Sequence, residues 1–418
     1  MIMSSTQQII RTSELSVLDR KGTPRIWMEG LYLKLAGFEK GCSIKVTFDE
    51  NKMQILKVDD GTRIVSAKKD TPVIDINNQE ILKSFQIGHK IRAIVKHGLI
   101  LLTKTKKQRR LESQLSDKSC ASIFSGGGLL DQAAIEAGYT PKWGVELDAK
   151  YADIWQQNHS GSMHNLDISD VEIDDLQRVE MITAGIPCPP FSVARQNQKG
   201  EFHKDTDLSL FFMMIIEKIN PRTIVLEEVP GYLKSEIGQA TIQGLERMGY
   251  NVSYEIISGQ DYGELELRKR AVIVATTNEQ FVFPEKISKE RTMGEILESP
   301  DHEDCQWFSR KEKAWFFERW DVADKKGTNF KSQIITNEST KIQAITRRYF
   351  AIQAGNPVIE HPTREGYYRL LTLTERRKLA TLAEDYYLGP KTTAGEVMGQ
   401  GIIVSVFQKI IEAVGIQV

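Results

Sequence analysis

The sequence predicts an α/β protein with a parallel sheet, preceded by a small β-rich domain. From Ser119 to about Thr276, apolar strand patterns alternate with helical patterns, as in CASIFSGGG, LLDQAAIEAG and KWGVEL. This alternation is typical of a parallel sheet with helices on both faces. Residues 25–104 instead contain short alternating or apolar runs separated by Gly, Asp and Asn, which indicates strands without intervening helices.

The size and composition of the chain are those of a globular protein with several domains. With 418 residues the chain exceeds one ordinary core, so two or three domains are expected. No apolar run reaches the roughly 18 residues of a membrane helix, and the polar N-terminal segment lacks the apolar stretch of a signal peptide. We therefore expect a cytoplasmic protein without membrane contact. The net charge of -1 means that nucleic-acid binding would require positive charge gathered in patches.

The four cysteines are spaced too irregularly for a disulfide framework or a zinc site. They are Cys42, Cys120, Cys188 and Cys305, with no CxxC pair among them. We therefore expect no metal, and in a reducing compartment each cysteine is a free thiol. The remaining question is whether one of these thiols is placed to react.

Changes of composition divide the chain into five segments. The basic stretch KTKKQRRLESQLSDK separates the strand-rich part from the α/β part, and a region rich in aromatic and basic residues interrupts the helical periodicity later in the chain. The last segment predicts one long helix from Val397 to Val414. The segments are a β-rich domain over 1–104, a basic linker over 105–118, an α/β core over 119–279, an irregular region over 280–366 and a helical return over 367–418.

The β-rich domain contains a repeat at an offset of 47 residues. Each copy has a glycine turn, a strand, a tight turn and a second strand, which predicts two β-hairpins. A single hairpin is marginally stable, so the two are expected to pack together. Similar hairpin chemistry without a duplication would give the same pattern. The matched positions are Phe38 and Phe85, Gly41 and Gly88, Ile44 and Ile91, and Lys57 and Lys104.

The stretch SIFSGGGLLD, residues 122–131, has the pattern of a strand that ends in glycines and opens a helix. Glycines let the backbone approach a ligand, and the first N–H groups of a helix are free to bind it. An ordinary βα turn gives the same pattern. Two later carboxylates favour a nucleoside cofactor. Glu146 ends the next strand, where an acid accepts from ribose hydroxyls, and Asp167 ends the third, where it can bind an adenine amino group.

Cys188 lies in the most informative stretch of the sequence, ITAGIPCPPFSVARQ. An apolar strand runs into Gly185, and three prolines then flank the cysteine. Proline fixes φ and removes the N–H donor, so the chain here is stiff and continues neither as helix nor as strand. Ligands and chemistry collect at the carboxyl ends of parallel strands. A buried structural cysteine is the alternative, and the loop position argues against it.

Two further segments supply charged side chains at strand ends. RTIVLEEVPGYL predicts a buried strand that ends in Glu227 and Glu228, and two acids at that place need a cleft or a partner. QDYGELELRKRAVIVAT places Arg268 and Arg270 two residues apart, on the same side of an extended segment. Such a pair can hold Glu227 and a phosphate or carbonyl oxygen. Taken alone, the acids and the arginines are also typical of solvated loops.

These segments, in this order, resemble the cytosine-C5 DNA methyltransferases, the Dcm-like enzymes in particular. FSGGGLLD resembles the first family motif, GIPCPPFS the proline–cysteine loop, LEEVPGYL the glutamate–asparagine–valine motif, and DYGELELRKR the motif that ends in Q-x-R-x-R. RLLTLTERRKLATL and GEVMGQGIIVSVFQKIIEAV resemble the last two motifs, so the match covers 120–276 and 367–416. In the β-rich domain, RIWMEGLYLKLAGFEKGCSIKV resembles SymE-type members of the AbrB-like families, which implies nucleic-acid binding.

The resemblance implies a Rossmann-like, S-adenosylmethionine-dependent methyltransferase core with a target-recognition insertion, acting on double-stranded DNA. The thiolate of Cys188 would add to carbon 6 of a flipped-out cytosine while Glu227 holds ring nitrogen 3 and the amino group. Arg268 and Arg270 would orient the base and Glu227, and carbon 5 would take the methyl group. The implied cofactor residues are Phe124, Ser125, Gly126, Gly128, Leu129, Glu146, Leu147, Asp167, Ile168, Pro187, Gln400 and Ile402.

Basic residues interleaved with aromatic ones make 280–366 the expected recognition region, since that mixture suits phosphate contact and base reading. Part of WFFERW would instead be buried helix. The residues in question are Arg310, Lys311, Lys313, Trp315, Arg319, Trp320, Lys325, Lys326, Arg347 and Arg348.

The sequence departs from the family pattern at several positions. The family's glutamine in the cysteine loop is Pro189, and the glycine that ends the first motif is Leu129. The asparagine of the last motif is Gln400. Glu228 and Glu266 replace an asparagine and a glutamine, and two extra carboxylates are unexpected near a site that binds DNA.

Three other functions fit the same motifs. The chain could methylate cytosine in RNA, or transfer a modified group from a related sulfonium cofactor. It could also be an inactive DNA-binding regulator, although the intact set of cysteine, glutamate and arginines argues against that. A restriction endonuclease is a possible partner, and the sequence does not predict the oligomeric state.

Overall fold

The computed structural model describes residues 9–50, 52–105, 114–187, 202–288, 290–325, 333–353 and 355–417, without the side chains of 202–207, 323 and 324. The chain forms two compact units, Met1–Ser113 and Gln114–Val418. Cys188 and the prolines that follow it lie outside the described residues.

The N-terminal unit consists of two antiparallel sheets around one apolar core and a short helix, α1 (Leu31–Leu35). One sheet has the order β1-β9-β10-β5-β4-β6 and the other β2-β3-β8-β7. Strands begin at Ile9 rather than at residue 25, because the polar segment β1 pairs along the whole of β9. The strands are β1 (Ile9–Ser16), β2 (Leu18–Arg20), β3 (Thr23–Glu29), β4 (Ser43–Asp49), β5 (Lys52–Lys57), β6 (Arg63–Ile64), β7 (Ser66–Lys68), β8 (Thr71–Asn77), β9 (Lys90–Lys96) and β10 (Leu99–Lys104).

The two repeated hairpins, β4–β5 and β9–β10, are neighbours in the larger sheet. Strand β10 pairs antiparallel with β5, so the hairpins share one ladder. Gly41 and Gly88 both have φ of 87°, which only glycine adopts readily, and each makes the turn that leads into its hairpin. Phe38 and Phe85 are both buried in the core of the unit. The matched positions therefore have the same structural roles in both copies.

The second unit is built on a seven-stranded sheet with the order β13-β12-β11-β14-β15-β17-β16. Strand β17 runs antiparallel to both of its neighbours, so the sheet is mixed, and the expectation of a parallel sheet is wrong for this edge. The reason is that β16 and β17 follow each other with only a short 3-10 helix between them, too little chain for a crossover. The strands are β11 (Ser119–Ile123), β12 (Thr140–Val145), β13 (Ser162–His164), β14 (Met181–Ala184), β15 (Thr223–Glu228), β16 (Asn251–Ser258) and β17 (Lys269–Thr276).

Helices cover both faces of this sheet and form two apolar clusters. One cluster joins α2 (Leu129–Glu136) to the C-terminal helices, and the other joins α4 (Phe202–Ile219) and α5 (Glu236–Met248) to the opposite face. Helix α3 (Ala149–Asn158) connects β12 to β13, and Asp148 caps its N-terminus through the N–H of Lys150.

The recognition region holds a small four-stranded sheet with the order β18-β21-β20-β19 and one helix. A parallel bridge between Glu266 and Ile342 attaches this region to the segment before β17. The elements are β18 (Phe308–Ser309), α6 (Ala314–Lys325), β19 (Ile334–Ile335), β20 (Val358–Glu360) and β21 (Tyr367–Arg369).

The C-terminal return consists of α7 (Leu373–Leu379), α8 (Lys391–Gln400) and α9 (Val404–Gln417). The single helix expected over Val397–Val414 is therefore wrong: the chain bends by 46° between α8 and α9. The extended backbone of Gly401 ends α8 and makes this break. No single helix in the described part of the chain is long and apolar enough to cross a membrane, although α8 and α9 together pass that test by length and composition.

Candidate active site

The glycine loop between β11 and α2 has one open face and one packed face. A Cβ on Gly126 would meet no atom within 4 Å, so space lies in front of the loop. A Cβ on Gly127 would lie 2.6 Å from Val397 Cγ1, and one on Gly128 would lie 2.4 Å from His159 Nε2. Gly128 also has φ of 80° at the start of α2. Both glycines are required because the C-terminal return and α3 press on the back of the loop.

Glu146 and Asp167 lie at neighbouring strand ends. The Glu146 carboxylate accepts from the N–H of Gly126 at 2.8 Å and from the N–H of Asp148 at 2.9 Å. Burial raises the pKa of Glu146 above its ordinary value. Asp167 accepts from the backbone and the hydroxyl of Ser169, and these hydrogen bonds lower the pKa of Asp167. Glu146 therefore lies beside the glycine loop, and Asp167 lies at the end of the neighbouring strand. Each carboxylate is held in place by hydrogen bonds.

The other expected cofactor residues differ in exposure. Phe124 and Ser125 are half-buried at the end of β11, and Phe124 has a positive φ of 58°. Leu147 is 65% exposed, and Pro187 is exposed at the edge of the described chain. Leu129, Ile168 and Ile402 are buried. Gln400 is exposed, and its carbonyl accepts from Arg270 at 3.3 Å.

This arrangement fits a nucleoside cofactor. The open space in front of Gly126 and the free N–H groups at the start of α2 are suited to backbone recognition. Glu146 and Asp167 provide acceptors for hydroxyl and amino groups, in the strand order typical of nucleotide-binding α/β folds. These residues would hold S-adenosylmethionine.

The strand that leads to Cys188 ends beside Glu227. Strands β14 and β15 are parallel neighbours, with Ala184 opposite Leu226. A Cβ on Gly185 would lie 3.3 Å from Glu227 Oε2, so the backbone after β14 passes directly over the carboxylate. The cysteine is three residues further on, outside the described residues.

Glu227 and Arg270 form a largely buried ion pair. Their side chains are 16% and 14% exposed, and Arg270 Nε contacts Glu227 Oε1. Burial raises the pKa of Glu227, while the charge of Arg270 lowers it. The result is a carboxyl group that is poised to share a proton, at the end of a strand and next to the cysteine loop.

Arg268 does not contact Glu227, which corrects the expectation that both arginines orient this acid. Arg268 is buried, and its Nε donates to Glu266 Oε1 at 3.1 Å. Its Nη2 donates to the carbonyl of Ile345 at 2.6 Å, and its Nη1 donates to the carbonyls of Gly399 and Gly401 at 3.1 and 3.3 Å. Arg268 therefore connects the recognition region to the end of α8. The carbonyl of Gly401 is the one acceptor that Arg268 and Arg270 have in common among the described residues.

The two extra carboxylates do not face a DNA surface. Glu266 is buried, and its Oε1 also accepts from the N–H of Ile345 at 2.8 Å. As a carboxylate it balances the buried charge of Arg268, which a glutamine would not do. Glu228 is buried as well and accepts from the N–H of Val229. Burial removes the conflict with phosphate that the sequence suggested.

A further buried ion pair lies where the recognition region joins the C-terminal return. Arg369 donates to both oxygens of Glu375 at 2.7 Å, and the two side chains are 2% and 0% exposed. Glu375 also closes a capping box with Thr372 at the start of α7. The motif-like string RLLTLTE is therefore a structural junction.

Helix α6 of the recognition region presents one apolar face inward, and its outward side is of mixed charge, with Glu318 and Asp321 exposed as well as Arg319 and Lys325. Phe316, Phe317 and Trp320 are buried, whereas Trp315 is 44% exposed and lies beneath Arg319. Two of the remaining basic side chains form ion pairs at the surface, Arg310 with Asp321 and Arg347 with Glu396. Lys311, Lys325 and Arg348 are exposed, and Lys313 is half-buried. Lys326 lies outside the described residues.

Sequence reasoning missed a buried polar cluster behind the glycine loop. Trp155 Nε1 donates to Asp131 Oδ2 at 3.0 Å, and Tyr386 Oη donates to the carbonyl of Gly127 at 2.6 Å. His159 Nε2 lies 3.2 Å from Tyr386 Oη. The aspartate after SGGGLL and the histidine after α3 were visible signals, but nothing local to Tyr386 indicated that it would reach the loop.

Asp131 gives a stability prediction for this cluster. Burial raises the pKa of Asp131 from 3.8 to about 7. Between about pH 4 and pH 7, Asp131 is therefore ionised in the unfolded chain and still protonated in the folded one. The free energy of unfolding falls by on the order of 4 kcal/mol as the pH rises through this range. We expect D131N to lack this loss, so that calorimetry shows a smaller fall in unfolding temperature between about pH 5 and pH 8 than for the native chain. His159, whose pKa burial lowers to about 4, is present in both proteins. If the unfolding temperatures of D131N and of the native chain changed equally with pH, the raised pKa of Asp131 would be contradicted.

Comparisons with known proteins identify the family of this chain. The family model of C-5 cytosine-specific DNA methylases matches residues 119–415. The chain is 27% identical to the Type II methyltransferase M.MspI of Moraxella sp, over 77% of this chain and 76% of that protein. It is 28% identical to the Type II methyltransferase M.NlaX of Neisseria lactamica, over 64% of this chain and 86% of that protein.

The fold is also that of a solved methyltransferase. The S. pombe Dnmt2 structure superposes with a TM-score of 0.57 at 17% identity, and the match covers 70% of this chain and 96% of that one. The family match spans more than two thirds of the chain, and includes the glycine loop, the cysteine loop and the Glu227–Arg270 pair. The chain therefore belongs to the C-5 cytosine-specific DNA methylase family and is an S-adenosylmethionine-dependent DNA cytosine-5 methyltransferase.

Proposed function

We propose that this enzyme methylates a cytosine flipped out of duplex DNA, through a covalent adduct between Cys188 and carbon 6. The observation that carries the proposal is the convergence of two neighbouring strand ends. The backbone at Gly185, three residues before Cys188, passes over Glu227, which Arg270 holds in place. The acid and the cation therefore lie at the end of the strand that leads into the cysteine segment, and the reaction needs an acid and a cation beside its thiol.

The steps follow from these side chains. The thiolate of Cys188 adds to carbon 6, which is unreachable inside a base stack, so the base must first leave the duplex. Glu227 shares its proton with ring nitrogen 3, so the negative charge developing in the ring is neutralised. Bound S-adenosylmethionine supplies an electrophilic methyl group for carbon 5. A water or phosphate-relayed base then removes the carbon 5 proton, and Cys188 leaves with the electrons of its bond to carbon 6.

Arg268 has a different role in this proposal from the one the sequence suggested. It is a positioning residue, because it contacts Glu266 and main-chain carbonyls and not the catalytic acid. Through Gly401, which accepts from both arginines, it fixes the segment against which Arg270 rests.

Duplex DNA containing 5-fluorocytosine tests the covalent step. Fluorine cannot leave carbon 5 as a proton does, so the adduct accumulates after methyl transfer. We expect a protein–DNA band that resists denaturation, appears only with S-adenosylmethionine, and maps by mass spectrometry to the peptide that contains Cys188. Methylation of unmodified DNA without any trapped species would contradict the covalent route. Parallel assays with tRNA separate the RNA alternative, and mass spectrometry of the product nucleoside identifies the transferred group.

The recognition region and a restriction partner complete the proposal. The exposed face of α6, with Trp315 and Arg319, supports base and phosphate contact by 280–366. Because the relatives are named Type II methyltransferases, we include a restriction endonuclease of the same specificity as partner. Sequencing of methylated cytosines in DNA from cells that express the protein gives the target site. Scattered methylation without a common sequence would argue against sequence recognition by 280–366 and against a restriction endonuclease partner.

We propose that the N-terminal unit also binds DNA, on the outer face of its six-stranded sheet. Residues 1–113 contain 21 Lys and Arg against 12 Asp and Glu, whereas residues 114–418 contain 34 against 44. A catalytic unit with an excess of acid is repelled by phosphate, so a separate basic unit would supply affinity. In the sheet, Lys45 is opposite Leu56, Leu56 is opposite Leu99, and Leu99 is opposite Lys96, which gives an apolar row with a cation at each end.

Charge removal on this face tests the proposal in the full chain. Arg92 is exposed on the same side of β9 as Lys96, opposite Glu14 of β1. The triple variant K45A/R92A/K96A is expected to bind non-specific duplex at least about tenfold more weakly near physiological salt, and to lower the slope of log K against log salt by about 3. The matched control is K34A/K40A/K69A, which removes three exposed lysines of the same unit outside that sheet face. Equal weakening by both variants would show that the face is not a specific surface.

A further inference from the structure

The back of the glycine loop is held by side chains from two distant parts of the chain. Tyr386, in the segment between α7 and α8, donates to the carbonyl of Gly127 at 2.6 Å. His159, which follows α3, has Nε2 at 3.2 Å from the carbonyl of Gly128. Both side chains are buried, at 4% and 5% exposure, so these hydrogen bonds are made in the absence of competing water.

The hydrogen-bond pattern fixes the protonation of His159. The tyrosine proton goes to the carbonyl of Gly127, and the carbonyl of Gly128 can only accept, so His159 Nε2 must carry a hydrogen. Burial lowers the pKa of His159 to about 4, so the ring is neutral at physiological pH. The cluster therefore contributes two directed donors and no net positive charge beside a cofactor that is itself cationic.

Planarity of the peptide transmits these contacts to the open side of the loop. When the carbonyl of Gly128 is held toward His159, the N–H of Leu129 in the same peptide points the opposite way. This N–H is one of the first of α2, which have no acceptor inside the helix. The Gly127 carbonyl, which Tyr386 holds, belongs to the peptide of the Gly128 N–H, and that N–H closes the turn by donating to the carbonyl of Ser125 at 3.0 Å. We propose that Tyr386 and His159 are positioning residues for the cofactor, because Tyr386 fixes the turn of the glycine loop and His159 fixes the direction of the Leu129 N–H.

The segment that carries Tyr386 is itself anchored. Asn158, the last residue of α3, donates to the carbonyl of Tyr387 and accepts from its N–H, both at 2.8 Å. Arg377 Nη1 donates to the carbonyl of Tyr386 at 2.7 Å. Tyr387 is 46% exposed, and these contacts use its main chain alone. The two adjacent tyrosines thus differ in role, which provides a matched control.

Cofactor binding by Y386F and Y387F tests this inference, which rests on the cofactor site assigned to the glycine loop. Isothermal titration with S-adenosylmethionine is expected to give a Kd for Y386F about 5- to 10-fold above that of the native chain, the effect of one lost buried hydrogen bond, and an unchanged Kd for Y387F. The KM for the cofactor should rise in parallel, with kcat at saturation and the KM for DNA within about twofold.

A second pair of variants addresses the histidine. His159→Gln keeps an N–H donor near the position of Nε2 and should retain most of the affinity, whereas His159→Leu should lose it. An unaltered Kd in Y386F with an unaltered unfolding temperature would overturn the inference. A fall in kcat and in affinity for both substrates together would show a general structural role instead. Absence of saturable binding by the native chain would refute the cofactor site itself, which is a separate outcome.

Discussion

Replacement of Cys188 by alanine is expected to reduce methyl transfer by roughly 10⁴-fold or more, because no other group in the proposed site can form the bond to carbon 6. The change removes one sulfur atom from a loop and leaves the Glu227–Arg270 pair and the glycine loop intact. Binding of DNA and of S-adenosylmethionine should therefore stay within a few-fold of normal. Single-turnover transfer of labelled methyl groups, together with a DNA-binding titration, measures both quantities.

The matched control for this experiment is C42A. Cys42 is a half-buried free thiol of the N-terminal unit, so its removal should leave transfer unchanged. Near-normal transfer by C188A would exclude the nucleophile. Loss of DNA binding in step with transfer would instead place Cys188 in a structural role.

Replacement of Arg268 by alanine is expected to give the largest loss of stability, about 3–5 kcal/mol, since it leaves Glu266 buried and without its counter-charge. The carbonyls of Ile345, Gly399 and Gly401 would lose a donor as well. For a unit of this size the unfolding temperature should fall by about 10 °C. Scanning calorimetry of the full chain detects this shift in the transition of the second unit.

Two neighbouring changes serve as controls for R268A. Lys269 is exposed, so K269A should alter stability by no more than about 0.5 kcal/mol. E266Q keeps an oxygen that accepts from Arg268 and from the N–H of Ile345, so its effect should be clearly smaller than that of R268A. A stable R268A protein with low activity would mean that Arg268 acts on the reaction directly and not through positioning.

Motifs with strong local signals could be read directly from the sequence. The strand–glycine–helix pattern of 122–131 predicted β11 and α2, and the strand ends at Glu146 and Glu227 lie where the alternating pattern put them. Both depend on residues that are close in sequence, because a strand is set by its apolar run and its end by the turn residues that follow. The family membership rests on these same local motifs in order.

Features that depend on pairing between distant segments were less predictable. The ladder between β1 and β9 and the position of β17 between β15 and β16 follow from strand pairing across the fold. The partner of Arg268 was misjudged for the same reason. Its spacing from Arg270 indicated a shared side, which the common contact with Gly401 reflects, but spacing carries no information on which carbonyl or carboxylate lies opposite.

The sequence by itself determined the chemistry of this protein: which side chains are present, at which strand ends, and to which family they belong. Only the tertiary structure decided which of the two arginines pairs with Glu227, that Arg268 pairs with Glu266 instead, and that Tyr386 and His159 contact the glycine loop. The physical reason is that residue type and strand pattern are local properties. Burial and hydrogen-bond geometry, by contrast, arise when different segments of the chain pack together and exclude water from one another.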